Sequence, residues 1–163
     1  MTDNQHHLYK TLSHGVYIIG VASGEHRNAF TAAWVIQVSF QPLMLAISIN
    51  PQHYSYTLLQ TGGICTVNVL GKHQYQLAEH FGDSAIPDKM AGFNWKTAKT
   101  GAPILSDSLA YFDCQVSHYC DAGDHKIAVC EVLAAGILHP GIPLLYEQTG
   151  DMDGSEALYP KNT

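Results

Sequence analysis

Three short stretches of the 163-residue sequence hold the residues whose types and spacing could do chemistry. In SINPQHYSYTLL, residues 48–59, an apolar strand ends at Ile49 and the chain turns at Asn50-Pro51. Ser55 and Thr57 then fall in or near the first turn of a helix. The free N–H groups and positive dipole end of such a helix attract an anion, and hydroxyls add donors, so one reading is a phosphate cradle. An ordinary N-cap uses the same residue types. In NAFTAAWV, residues 28–35, small side chains stand where a strand enters the core and bulkier ones would bury more surface. Such residues let a flat ring approach the backbone and bond its edge, although a tight turn feeding a strand would use them too. In AGDHKIAVCEV, residues 122–132, Gly123 and Asp124 make a turn that sets His125 at the mouth of a strand. Asn68 on a strand and Gln74 on the helix after it are weaker signals.

Other chemistries are missing. No paired carboxylates, Ser/Cys/His constellation or Gly-rich dinucleotide fingerprint stands out. The ten histidines are scattered; the closest helical spacing, His73 and His80, lacks a carboxylate third ligand, and His6 and His7 sit in a polar tail, so no metal site is expected. Cys65, Cys114, Cys120 and Cys130 form no CxxC pair and read as buried free thiols. Eight basic against fourteen acidic residues, a net charge of −6, leave no patch for nucleic acid. No apolar run is long enough to span a bilayer and the first residues lack the form of a secretion signal, so a cytoplasmic protein without a membrane partner is expected.

The elements that must position these residues are mostly strands. Period-two alternation marks 16–22, 34–40, 43–49, 64–70, 109–118 and 126–136, with Gln41-Pro42 as a tight hairpin link. In 34–40, Trp34, Ile36, Val38 and Phe40 share one face. A helix is predicted through 55–60, stopping at Gly62-Gly63, and a second over 72–82. Residues 83–108 read as a surface excursion, and 1–12 and 150–163 as loose tails of one domain. Six or more strands with few short helices predict a mainly β, nearly closed antiparallel barrel. Charged residues make up only 13%, which implies surface hidden by a partner subunit or a ligand.

Taken in order, NAFTAAW, VSFQPLMLAISINPQ, SYT, GGICTVNVL, LAEHFG, CQV and GDH before an I-A-V-x-E-V strand resemble the flavin reductase-like family of FMN-binding split barrels, from about Gly15 to Leu138. The resemblance implies a Greek-key split β-barrel, usually a homodimer, with flavin near the subunit interface. It implies that Phe30, Thr31, Ala32, Ala33 and Trp34 line the isoalloxazine, that Ser48, Ile49 and Asn50 follow the ribityl chain and phosphate, and that Ser55 and Thr57 hold the phosphate. Phe81 would border the cofactor, and His125 would face the nicotinamide side as the catalytic residue. Many members carry a basic residue in the loop around 52–57. This chain has Gln52, His53 and Tyr54, which leaves His53 to meet the phosphate.

The activity this implies is oxidoreduction: FMN, with FAD as a possible substitute, takes hydride from NADH or NADPH and passes electrons to a free flavin, a redox partner protein or a metal complex. The alternatives are a flavoredoxin-like FMN electron carrier without NAD(P)H activity, and a related barrel that has lost its cofactor.

Overall fold

The computed structural model describes residues 5–160. Its period-two segments pair as antiparallel strands. β1 (Tyr17–Ser23) and β2 (His26–Ala32) form a hairpin across the two-residue turn Gly24-Glu25. β3 (Val35–Phe40) and β4 (Leu43–Ile49) form a second across Gln41-Pro42, whose peptide bond is cis. β5 (Ile64–Val69) lies beside β1, and β6 (Trp95–Lys96) pairs separately with β7 (Ile104–Leu105). The long β8 (Ala110–Ala122) and β9 (His125–Ile137) make the third hairpin.

The main sheet runs β2-β1-β5-β8-β9-β4-β3. Its two outer strands are consecutive in the chain, joined only by Ala33 and Trp34. A link that short reaches about 10 Å, so the sheet must curl until its edges nearly meet. That curl makes the mainly β split barrel expected from the sequence, and it puts the small-residue segment on the seam. β1 is buried on both faces. Ile19 and Val21 point into the barrel with Leu45, Ile47, Ile49, Cys65 and Val67. Ile18 points outward, onto a second cluster with Ala29, Leu70, Ala78, Phe81 and Leu105. α2 (Tyr54–Gly62) and α3 (Tyr75–Gly82) pack against β1 and β2, close to the predicted helices. Gly62 lies so near β1 that a Cβ there would come 1.8 Å from the Ala22 carbonyl oxygen, so only glycine lets α2 seat.

Four expectations need correction. HRNAFTA, which no predicted strand covered, is a strand: its polar and small residues hide the alternation because β2 is an edge strand. The 83–108 excursion does not stay on the surface. Ala102, Ile104 and Leu105 are buried, held by the Thr66 hydroxyl on the Pro103 carbonyl and by the Leu105 N–H on Asn68 Oδ1 at 2.9 Å. The described parts of the tails are docked. α1 (Gln5–Tyr9) buries His6, and Tyr146 Oη donates to Asp153 Oδ2 at 2.7 Å, while residues 1–4 and 161–163 lie outside the described residues. Finally, three of the cysteines are buried, but Cys120 is exposed.

Candidate functional site

Three hydrogen bonds and a ring contact bring the singled-out stretches to the barrel seam. Trp34 O accepts from Ser48 N at 3.0 Å, which lays the Ala33-Trp34 link against the end of β4. Asn28 Nδ2 donates to Ser55 Oγ at 3.0 Å, which ties β2 to the start of α2. Thr31 Oγ1 donates to Ala78 O at 2.6 Å, which ties β2 to α3. The His125 and Trp34 ring centroids are 5.1 Å apart. His125 reaches Trp34 because β8 and β9 extend as a long arm, reversed in two residues by Gly123 at φ +61°.

As an edge strand, β2 leaves alternate backbone N–H and C=O groups without a strand partner. Thr31, Ala32 and Ala33 are half-buried and Trp34 is exposed, so this backbone is approachable. α2 begins after His53 with no side-chain cap. The N-cap reading of Ser55 and Thr57 therefore fails: the hydroxyls lie inside the helix, and its positive end stays available to an anion. Asn50 shapes the approach, its Oδ1 accepting from Gln52 N at 2.9 Å and its carbonyl from His53 N at 3.1 Å.

Lys89 is the residue that sequence reasoning missed. It is half-buried, and its Nζ donates to Phe81 O at 2.9 Å at the C-terminal end of α3. Burial lowers the His53 pKa, and electrostatic interaction with Lys89 and His125 lowers it further. Burial also lowers the Lys89 pKa, against a smaller opposite push from Asp83. Lys89 is thus a cation from outside the 52–57 loop whose charge is felt at His53. Nothing in the spacing says which of eight basic residues would act there; the only signal is that an uncapped helix start lacks a local cation.

The remaining predicted residues divide. The Phe81 side chain is fully buried among His80, Phe93 and Trp95, so it cannot border a ligand; its carbonyl serves by holding Lys89. Residues two apart on a helix do not share a face, and so Ser55 is buried against β2 while Thr57 faces solvent. Phe30 and Ile49 put their side chains in the core and offer backbone. Asp124 Oδ1 lies 2.7 Å from His125 Nδ1; this bond lowers the Asp124 pKa and orients the ring. Asn68 and Gln74 are structural: Asn68 bonds Ile18 O at 2.9 Å, and Gln74 bonds Gly71 N at 2.8 Å and Asp107 O at 2.7 Å. Two cavities, of about 700 Å³ near Gly71–Gln74 and about 260 Å³ under α1, lie away from the seam. Among the described residues no helix is long and apolar enough to cross a membrane.

Comparison with known proteins agrees with this geometry. The flavin reductase like domain matches residues 9–155. The chain is 33% identical over 136 residues to the FMN reductase (NADH) RutF of Variovorax paradoxus, covering 83% of this chain and 76% of that one. It is 36% identical over 124 residues to diflavin flavoprotein A 1 of Synechocystis sp., covering 74% of this chain and 22% of that one. The chain spans only about a fifth of the length of the diflavin flavoproteins it matches. Among solved structures it superposes with a TM-score of 0.80 and 26% identity on BorF, the flavin reductase component of a bacterial two-component tryptophan halogenase, covering 89% of this chain and 92% of that one. An edge strand of small residues, an uncapped helix start and a histidine-tipped hairpin on one split-barrel seam thus accompany a match over most of the sequence, and the chain belongs to the flavin reductase-like domain family.

Proposed function

We propose that this chain binds FMN along the β2–α2 seam and catalyses reduction of the flavin by NADH or NADPH. The observation that carries the proposal is the convergence on one seam of the approachable β2 backbone, the uncapped α2 start tied to it by Asn28 and Ser55, and the Trp34–His125 ring contact. The donor set suits the cofactor. Edge-strand N–H and C=O groups between Phe30 and Trp34 match the hydrogen-bonding rim of a flat heterocycle. Ser48, Asn50 and Ser55, with Lys89 and His53, match a polyol chain ending in a phosphate. When bound, FMN supplies two-electron redox chemistry between a reduced nicotinamide and a second acceptor.

The chain's own residues position and exclude. Ala32 and Ala33 keep the seam clear for a ring. Trp34 and His125 form the wall against which a nicotinamide is placed, and Asp124 fixes the His125 ring through Nδ1. Neither is needed as a proton donor for hydride transfer, which fits the lack of an acid–base pair in the sequence. The acceptor is a free flavin, a redox partner protein or a metal complex, and FAD would fit as far as its FMN half. The working unit is a homodimer in the cytoplasm.

One spectral experiment tests the proposal. Purified protein incubated with FMN and washed is expected to be yellow, and anaerobic stopped-flow mixing with NADH and then NADPH is expected to bleach the oxidised band promptly with one of them. A protein that stays colourless sinks the proposal; one that turns yellow but bleaches with neither is a carrier.

Affinity should also depend on pH. Burial and the neighbouring Lys89 and His125 keep His53 below its ordinary value, so in free protein it is neutral near pH 7. A phosphate dianion beside it would raise that value, so binding takes up a proton. FMN affinity is therefore expected to rise as pH falls from about 8 to about 7, a window in which the phosphate stays mostly dianionic. His53→Ala should flatten the profile, and riboflavin, which has no phosphate, should not show it.

A further inference from the structure

Far from the seam, the docked tails bring together a group of side chains that nothing in the flavin chemistry uses. His6 on α1 is 3% exposed, and neither of its ring nitrogens has a hydrogen-bond partner among the described residues. A buried imidazole without partners costs roughly 1–3 kcal/mol, so a missing ligand is the economical explanation. Its Nε2 faces Asp151 Oδ1 at 3.6 Å, and the ligand atoms of His6, Asp151 and Glu156 all lie within 4.8 Å of one another. The three line one cavity of about 260 Å³ with His7, Lys10, Thr11, Glu147 and Gly150.

The 3.6 Å separation is informative. It is too long for a hydrogen bond, yet close to the ~3.4 Å edge between two ligands that sit ~2.1 Å from one tetrahedral ion. We propose that His6, Asp151 and Glu156 form a binding site for a divalent first-row transition-metal ion that staples α1 to the 150–156 segment. One imidazole nitrogen and two carboxylate oxygens are a borderline donor set that suits zinc or manganese, with water completing the shell. Two carboxylates and a neutral imidazole balance a double positive charge. The nearby cation does not compete. The Lys10 ammonium is held by the carbonyls of Tyr146 and Gly150, the Thr149 hydroxyl and the face of the Tyr146 ring, and no ion pair joins it to Asp151 or Glu156. Asp151 is also partly fixed in advance, since its Oδ1 accepts from Glu156 N at 2.9 Å.

Full-length, tag-free protein stripped with a chelator is titrated calorimetrically with ZnCl₂ and MnCl₂, with and without FMN. One ion per chain is expected, with a zinc dissociation constant of about 1 µM or tighter and no effect of FMN. His6→Gln and Glu156→Gln should each weaken zinc at least tenfold. Glu156 is exposed, so its variant tests the site even if the buried His6 change disturbs folding. Co²⁺-loaded protein should show no thiolate charge-transfer band, which separates this site from one at Cys120. No saturable binding up to about 1 mM zinc, binding that Glu156→Gln leaves unchanged, or a thiolate band overturns the proposal.

Discussion

Lys89→Ala is expected to raise the FMN dissociation constant about 10- to 100-fold while leaving riboflavin binding unchanged. The magnitude is that of a hydrogen bond to a charged group, about 1.5–3 kcal/mol, made where half the side chain is already out of water. The α2 start supplies only a partial positive charge and His53 is neutral near pH 7, so the proposed phosphate site needs a full cation, the role the proposal gives to Lys89, whose charge acts on His53. Lys89→Arg should recover most of the affinity, because the phosphate reads charge and the longer side chain still spans the gap. The lysine also donates to the Phe81 carbonyl, so thermal unfolding of the variant must be measured beside the titration. Equal losses of FMN and riboflavin affinity would mean that the change disturbs the seam, and unchanged FMN affinity would remove Lys89 from the phosphate site.

Why the sequence showed Ser55 but hid Lys89 is a matter of distance along the chain. Hairpins, helix stops and strand alternation are local, and 43–49, Gln41-Pro42 and Gly62-Gly63 could be read from a few residues each. A cation thirty-six residues beyond the histidine it opposes has no local signature, and the low alternation of 83–108 disguised the turn that returns it. β2 was hidden for a related reason. Polarity reports burial, and an edge strand with one face against α3 and its free edge open has little alternation to read. The matching turns Gly24-Glu25-His26 and Gly123-Asp124-His125 were the available clue, since both are two-residue glycine hairpins, yet only the second was singled out. The tails misled in the opposite sense. Polar residues such as His6 read as solvated, and only the fold shows that 150–156 comes back to cover them.

Period two predicts a shared face only while a strand keeps its register, and it does not say what covers that face; β3 shows both limits. Trp34, Ile36, Val38 and Phe40 were expected to share one face, but a register shift between Gln37 and Ser39 breaks the alternation: Ile36 stands opposite Ala46 and Phe40 opposite Leu43, on different faces of the sheet. Ile36, Val38 and Phe40 are nonetheless all open to solvent, at 58%, 47% and 86%, with Leu43 at 53%. Only Val35 is buried on that strand. Exposed apolar side chains along an edge strand invite association or aggregation, and a chain with so few charges does little to blunt them. If a second copy covers them, the protein should sediment at twice the 17.8 kDa chain mass at micromolar concentration, and Phe40→Glu should shift it to the single-chain mass. A two-fold axis at this edge brings each Phe40 region against the other copy, so the introduced charge is buried or repelled twice; the dimer should weaken at least 100-fold. FMN affinity should fall with it. Trp34, the residue just before β3, is exposed in one chain, so a second copy on β3 would lie next to the proposed flavin site. Phe40 lies at the far end of β3 from Trp34, opposite Leu43, so loss of FMN binding in a well-folded monomer would point to the absent partner. A wild-type protein that is monomeric at micromolar concentration and still holds FMN would place the whole cofactor site within one chain, and would require a different cover for the exposed β3 side chains.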